Sequence, residues 1–261
     1  MTRPDMTQSD RARAFAALHK PGTPVVLFNV WDAGGAVALQ KCGAPAIATG
    51  SHGVAESLGF ADGEQAPLDD VLYLVRRVVA SVSLPVTVDF EGAYATDPAG
   101  AAANVIRLIE AGAVGLNIED QVIGGTGLHA PQSQAARIAA IRAAAVARGM
   151  PLFINARTDL FLKAPATDHA ALVPEALARA ALYQAAGASG FFVPGLVDPA
   201  LLTAVVRGTP LPVNAIASPA QQPAATLASL GVARISHGPF PWRAAMTGFV
   251  DGWKAATAHQ T

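Results

Sequence analysis

The chain has 261 residues, 52% of them hydrophobic, with 18 basic against 19 acidic side chains and a net charge of −1. With no basic stripe, nucleic acid is excluded as the main partner. No apolar run reaches the roughly 18 uncharged residues of a membrane span, and the first residues carry no signal-peptide core, so a cytoplasmic protein with no membrane partner is expected. The single cysteine, Cys42, allows no internal disulfide and no thiolate metal cluster, and reads as a small buried hydrophobe.

Along the chain, eight short apolar runs rich in Val, Ile or Phe occupy 25–30, 46–49, 86–90, 114–118, 152–155, 190–193, 213–217 and 234–236. Each has the length and composition of a strand buried on both faces. Helical segments alternate with them. Residues 68–82 place Val71, Leu72, Val75, Val78 and Val79 at helical spacing. Asp97-Pro98 suits an N-cap followed by proline at the first helical position, opening a helix over 99–111 that ends at Gly112. Helices over 132–148 and 174–186 end at Gly149 and Gly187 in the same way. Strand alternating with helix implies parallel strands and right-handed crossovers. Eight units in this length predict a single-domain (β/α)8 barrel of the TIM type spanning residues 1–261, rather than an open doubly wound sheet. No Gly-x-Gly-x-x-Gly follows the first strand, so no dinucleotide site is expected.

The polar residues cluster at the C-terminal ends of these strands, which in a barrel share one mouth. They are Asn29 and Asp32; Thr49, Ser51 and His52, with Glu56 and Asp62 further on; Asp89 and Glu91; Asn117, Glu119 and Asp120; Asn155, Arg157 and Asp159; Asn214; and His237. Oxygen donors without a His/Cys cluster suit a hard cation, Mg²⁺ or Mn²⁺. Asp89 and Glu91, two apart, would face the same way on a strand, and a cation would relieve their repulsion. Arg157 could hold a substrate carboxylate or phosphate. Asp32 reads equally well as an N-cap, and Asp120 and Asp159 as braces for Arg157 or nearby turns. Glu56, Glu64, His19, His129, His169 and His259 read as solvated or loop positions.

Taken in order, several strand-end motifs resemble the isocitrate lyase / phosphoenolpyruvate mutase superfamily, in its phosphoenolpyruvate-mutase-like branch. They are Asn29-Val30-Trp31-Asp32-Ala33, Thr49-Gly50-Ser51, Val88-Asp89-Phe90-Glu91-Gly92, Asn117-Ile118-Glu119-Asp120 and Asn155-Ala156-Arg157-Thr158-Asp159. The resemblance implies a Mg²⁺-dependent enzyme acting on a small 2-oxo acid or its enol form. By motif, Asp89 would bind the metal directly, and Asp62, Glu91 and Glu119 would hold its waters. Ser51, with the backbone of Gly50 and His52, would cradle the substrate carboxylate and Arg157 its other end. Thr49 and Asn214 join the expected substrate site, and Arg157, Glu119 and His237 the expected catalytic set, His237 as proton donor or substrate contact. The resemblance further implies a homo-oligomer, tetramer or dimer, exchanging a C-terminal helix over 249–258.

The loop after Asp120 departs from the family patterns. It has neither the cysteine of the isocitrate-type lyases nor the lysine and asparagine that handle a phosphoryl group, so it does not name the reaction. With glycines at 124, 125 and 127, residues 121–131 read as a mobile lid. The leading expectation is a lyase or decarboxylase acting on an oxaloacetate-like di-acid through an enolate. The alternatives are carbon–phosphorus chemistry of the phosphoenolpyruvate mutase or carboxyphosphonate phosphorylmutase kind, and a barrel that binds metal and acid without turnover.

Overall fold

The computed structural model describes residues 6–218 and 223–258, and His259 lies outside them. Among the described residues, nine parallel strands run β1 Val25–Leu27, β2 Asn29–Val30, β3 Ile47–Thr49, β4 Val86–Asp89, β5 Gly115–Glu119, β6 Phe153–Arg157, β7 Gly190–Phe192, β8 Val213–Ile216 and β9 Arg234–Ser236. Their order is β1-β9-β8-β7-β6-β5-β4-β3-β2. The two outermost strands are halves of one predicted strand, interrupted at Phe28. The first half pairs with β9 and the second with β3, so a single chain segment closes the barrel. Barrel strands are tilted and staggered, so one strand meets its two neighbours at different heights.

Around the barrel lie α1 Gln8–Ala17, α2 Ala33–Lys41, α3 Ser51–Ser57, α4 Leu68–Ser81, α5 Pro98–Glu110, α6 Pro131–Ala147, α7 Leu160–Lys163, α8 His169–Ala185, α9 Pro199–Gly208, α10 Ala224–Ser229 and α11 Phe240–Thr257. Among the described residues, no helix is long and apolar enough to cross a membrane. Caps start the helices where the sequence marks them. Asp97 accepts from Gly100 N–H ahead of Pro98, and Asp32 caps α2 through Gly35 N–H at 2.6 Å. Asp32 is therefore engaged as a cap. α8 begins five residues before the predicted start and keeps Pro174 inside it. The lost backbone bond is outweighed by burial of Val173, Ala176, Ala180 and Tyr183.

α1 packs beneath the barrel. Phe15 is fully buried, and a side chain at Gly115 would run into its ring. His19 is buried with it, stacked on Phe153 at 3.9 Å, and its Nδ1 lies 2.9 Å from the Phe15 carbonyl. Burial holds its pKa down at about 3, so this ring is a neutral core group rather than a solvated one. His169 is likewise buried, edge-on to Phe161. Cys42, by contrast, is exposed: it caps the C-terminus of α2, where the apolar period no longer faces the barrel.

Candidate active site

A cavity of about 370 Å³ opens at the C-terminal mouth of the barrel. Its lining includes Ser51, His52, Asp62, Asp89 and Asn117, together with Arg157 and Arg243. Phe192, Pro194, Ile216 and Phe240 add apolar surface. A pocket with a few convergent polar groups on apolar walls has the form of a small-molecule site.

Asp89 ends β4. Its Oδ1 accepts from Asn117 Nδ2 at 3.1 Å and its Oδ2 from the Ser51 N–H at 3.4 Å, while the Thr49 hydroxyl lies 3.2 Å from its backbone nitrogen. Glu91 reaches the same region by a route the two-residue spacing did not foretell. The strand has already ended, and Glu91, Ala93 and Tyr94 all adopt left-handed backbone with φ of 48°, 61° and 52°. Such conformations cost non-glycine residues roughly 1–2 kcal/mol each. Buried and partly buried side chains hold the turn. Arg137 donates to the carbonyls of Gly92 and Ala95, Glu64 accepts from Tyr94 N–H at 2.6 Å, and Asn104 donates to the carbonyls of Ala93 and Tyr94. Glu64 is thus a partly buried clamp, not a solvated charge. Glu91 Oε2 accepts from Glu64 N–H at 2.8 Å. Burial first, then the charges of Asp62 and Asp89, push its pKa up to about 8.

That shift carries a sign. Below pH 8 the native protein without a cation holds a proton on Glu91, which the unfolded chain releases near 4.5. Stability should therefore fall as pH rises from about 4.5 to about 8. Glu91→Gln should flatten that slope in thermal melts of the metal-free protein; identical slopes would contradict the assignment.

Glu119 is buried at 3.0 Å from Arg157 Nη1. Desolvation pushes its pKa up, against the pull of Arg157. Asp159 takes the other side of the guanidinium, with Nε at 2.6 Å and Nη2 at 3.0 Å. Asp120 accepts from Asp159 N–H, Arg179 and Tyr183. Asp159 thus braces Arg157 directly and Asp120 braces the turn behind it. Each terminal nitrogen of Arg157 keeps a further N–H, and the guanidinium stands 5.8 Å from the Phe192 ring.

The structure separates the expected site residues into two groups. Gly50, Ser51, His52, Asp62, Asp89 and Arg157 line the cavity. Thr49, Glu91 and Glu119 stand just behind its wall, and Asn214 lies beneath its floor, bonded to the Arg234 carbonyl and to Ser236. His237 does not enter it: its Nδ1 lies 3.3 Å from the Leu27 carbonyl and its ring 5.0 Å from Phe28. It follows Ser236, which lines the cavity, so strand alternation turns it outward. Its expected catalytic placement is therefore corrected. Residues 121–131 are not a cover over the cavity either. A Gln121–Leu128 bridge folds them into a small hairpin, beside a separate pocket lined by Glu64, Tyr94 and Arg137. Arg243 is the charged cavity residue that sequence reasoning missed. One turn into α11, it is indistinguishable in sequence from a solvated helix charge.

No three carboxylate, imidazole or thiol groups among the described residues converge to ligate one ion directly. The donor set still fits a hard cation held through one or two carboxylates and several waters, as Mg²⁺ commonly is. In such an arrangement Asp89 would make the direct contact, and Asp62, Glu91 and Glu119 would receive waters.

The family model for phosphoenolpyruvate phosphomutase matches residues 15–257. The chain belongs to the phosphoenolpyruvate mutase family. A solved structure from Burkholderia cenocepacia J2315, provisionally assigned as a phosphonomutase, is 44% identical with a TM-score of 0.92, over 97% of this chain and 99% of that one. An uncharacterised protein of Mycobacterium tuberculosis H37Rv is 36% identical over 233 residues, 89% of this chain and 84% of its own. The 2-methylisocitrate lyase of Escherichia coli K12 is 33% identical over 216 residues, 80% of this chain and 71% of its own. The protein is therefore an enzyme of the phosphoenolpyruvate mutase / isocitrate lyase superfamily, a metal-dependent class, and the barrel without turnover falls away.

Proposed function

We propose that this enzyme makes or breaks the bond at C3 of a small 2-oxo acid through its enolate, with Mg²⁺ (or Mn²⁺) at Asp89. The observation that carries the reading is one cavity whose lining brings Asp62 and Asp89 together with Arg157 and Arg243, with Glu91 and Glu119 buried just behind it. A divalent cation there would supply positive charge where enolate oxygen develops. Arg157, held rigid by Asp159 and Glu119, would orient the acid through its remaining N–H groups, and Ser51 would bind the opposite end. The apolar wall would keep water from the enolate.

Between the two expected chemistries, the family match and the phosphonomutase-like relative favour carbon–phosphorus transfer over carbon–carbon cleavage. Arg243 also offers the counter-charge for a phosphonate that the 121–131 loop lacks. The lyase or decarboxylase reading is favoured by that same loop and by the likeness to 2-methylisocitrate lyase. Phosphorus NMR of phosphonopyruvate with enzyme and Mg²⁺ separates them, alongside pyruvate release from oxaloacetate and alkyl-substituted 2-hydroxy di-acids. A changing phosphorus spectrum supports the first reading. An unchanged spectrum with pyruvate release from a di-acid replaces it with the second, and inertness on all substrates sinks both.

We also propose a homo-oligomer built on α11, in the cytoplasm. Of α11 only Pro241 is buried, while Met246, Phe249 (75% exposed), Val250 and Trp253 (65%) form an apolar stripe at helical spacing. On the barrel, the outer face of the first strand is left uncovered at Val26 and Phe28. The double change Phe249→Glu, Trp253→Glu should yield monomers by light scattering after gel filtration; an unaltered mass would count against this interface.

A further inference from the structure

A chain of buried amides crosses the barrel beneath the cavity. Asn155 Nδ2 donates both ways, to Asn117 Oδ1 at 2.9 Å and to Asn214 Oδ1 at 3.0 Å. Asn117 Nδ2 in turn donates to Asp89 Oδ1. At the far end Asn214 Nδ2 donates to the carbonyls of Ala215 and Arg234, at 2.9 and 3.1 Å. All three asparagines are at most 3% exposed.

The direction of this chain is fixed from one end. Backbone carbonyls only accept, so Asn214 must turn its nitrogen toward them and its oxygen toward Asn155. Asn155 must then offer its nitrogen, Asn117 must receive with its oxygen, and the Asn117 nitrogen is left facing Asp89. The chain tolerates a cost for this order: Asn155 Oδ1 is buried with no partner among the described residues. An orphaned buried acceptor is destabilising. Flipping Asn155 would not relieve it: oxygen would face oxygen on both sides, and the nitrogen would take the partnerless position. Space has been cleared for it as well, since a Cβ on Gly190 would sit 2.8 Å from that oxygen.

We infer that Asn155 is the positioning residue for Asp89, carrying the polarity of the β8–β9 backbone across the barrel so that Asn117 presents a donor to the Asp89 carboxylate. The carboxylate is thereby held in one orientation, with Oδ2 toward the cavity side where Ser51 lies. This inference rests on the reading of Asp89 as the metal-binding residue. Partners one step removed from a metal ligand typically change affinity by about 10–100-fold when removed.

The test is a Mn²⁺ titration of the full-length protein followed by electron paramagnetic resonance, with thermal melts in parallel. Asn155→Leu, close in volume and without donors, should bind Mn²⁺ at least about tenfold more weakly. A lower melting temperature with wild-type Mn²⁺ affinity would show a structural role only and overturn the inference. If that variant does not fold, Asn155→Asp decides. Its carboxylate accepts only, so it draws the Asn117 nitrogen to itself and turns the Asn117 oxygen on Asp89. Weaker Mn²⁺ binding despite the added negative charge supports the inference, and unchanged or tighter binding overturns it. Asp89→Ala keeps the two readings apart. Wild type that binds no Mn²⁺ removes the metal reading and this one with it. Binding lost in Asp89→Ala but kept in both Asn155 variants removes only the role of Asn155.

Discussion

Asp89→Ala is expected to lower metal-dependent turnover by about three orders of magnitude or more while leaving the barrel folded. Each factor of ten in rate is about 1.4 kcal/mol of transition-state stabilisation, and a cation at an enolate contributes several kcal/mol. Asp89 is the carboxylate that both lines the cavity and is fixed on two sides, by Asn117 and by the Ser51 N–H. Its loss does not leave a sealed polar void, because Asn117 also borders the cavity and its amide can turn to water. It also removes one of the charges that raise the pKa of Glu91. The melting temperature of the metal-free variant should therefore match or exceed that of wild type at pH 8. Full turnover in the variant would defeat the metal assignment, and a collapsed melt would show Asp89 to be structural.

Arg157→Ala is expected to fail in both activity and stability. Arg157 stands between Glu119 and Asp159, which are 5% and 0% exposed. Removing one partner of a buried ion pair typically costs 3–5 kcal/mol, because the remaining charge has neither water nor a counter-ion. Glu119 and Asp159 would be left in that state together. Turnover should drop by about 100-fold or more, from the lost orientation of the acid. Arg157→Lys should restore part of the stability and little of the activity, since an ammonium cannot match the paired geometry to Asp159 and still reach a ligand. Denaturant melts and steady-state kinetics on one preparation separate the two effects. Lysine restoring full kcat/KM would reduce Arg157 to a point charge.

The barrel was legible because its cause is local and repeated. Apolar runs at 86–90 and 114–118, capped helices between them, and polar residues such as Asp89 and Glu119 at the strand ends are each written in a few consecutive residues. The closure at Phe28 was not, because a strand divided between two neighbours looks continuous in sequence. His237 illustrates the next limit: strand-end position put it at the mouth, while the alternation set by Ser236 turned its ring away. Asn214 was expected in the substrate site, but its depth in the barrel depends on register with β9, which no sequence pattern states. Arg243 and Arg137 gave no signal at all, since each is one of several charges on a helix whose facing is fixed by packing.

The opening composition argued against nucleic acid and membrane spans, and the order of strand-end motifs then pointed to the family and the barrel. Only the tertiary structure decided how Glu91 joins Asp89. It does so through a left-handed turn held by Arg137 and Glu64, not through the strand spacing that first suggested the pair. Only the structure joined Asp89 to Asn117, Asn155 and Asn214 in one directed chain. The physical reason is the same in each case. Periodicity and motif record which residues share a face or a strand end, whereas hydrogen-bond direction and burial depend on which distant atoms meet.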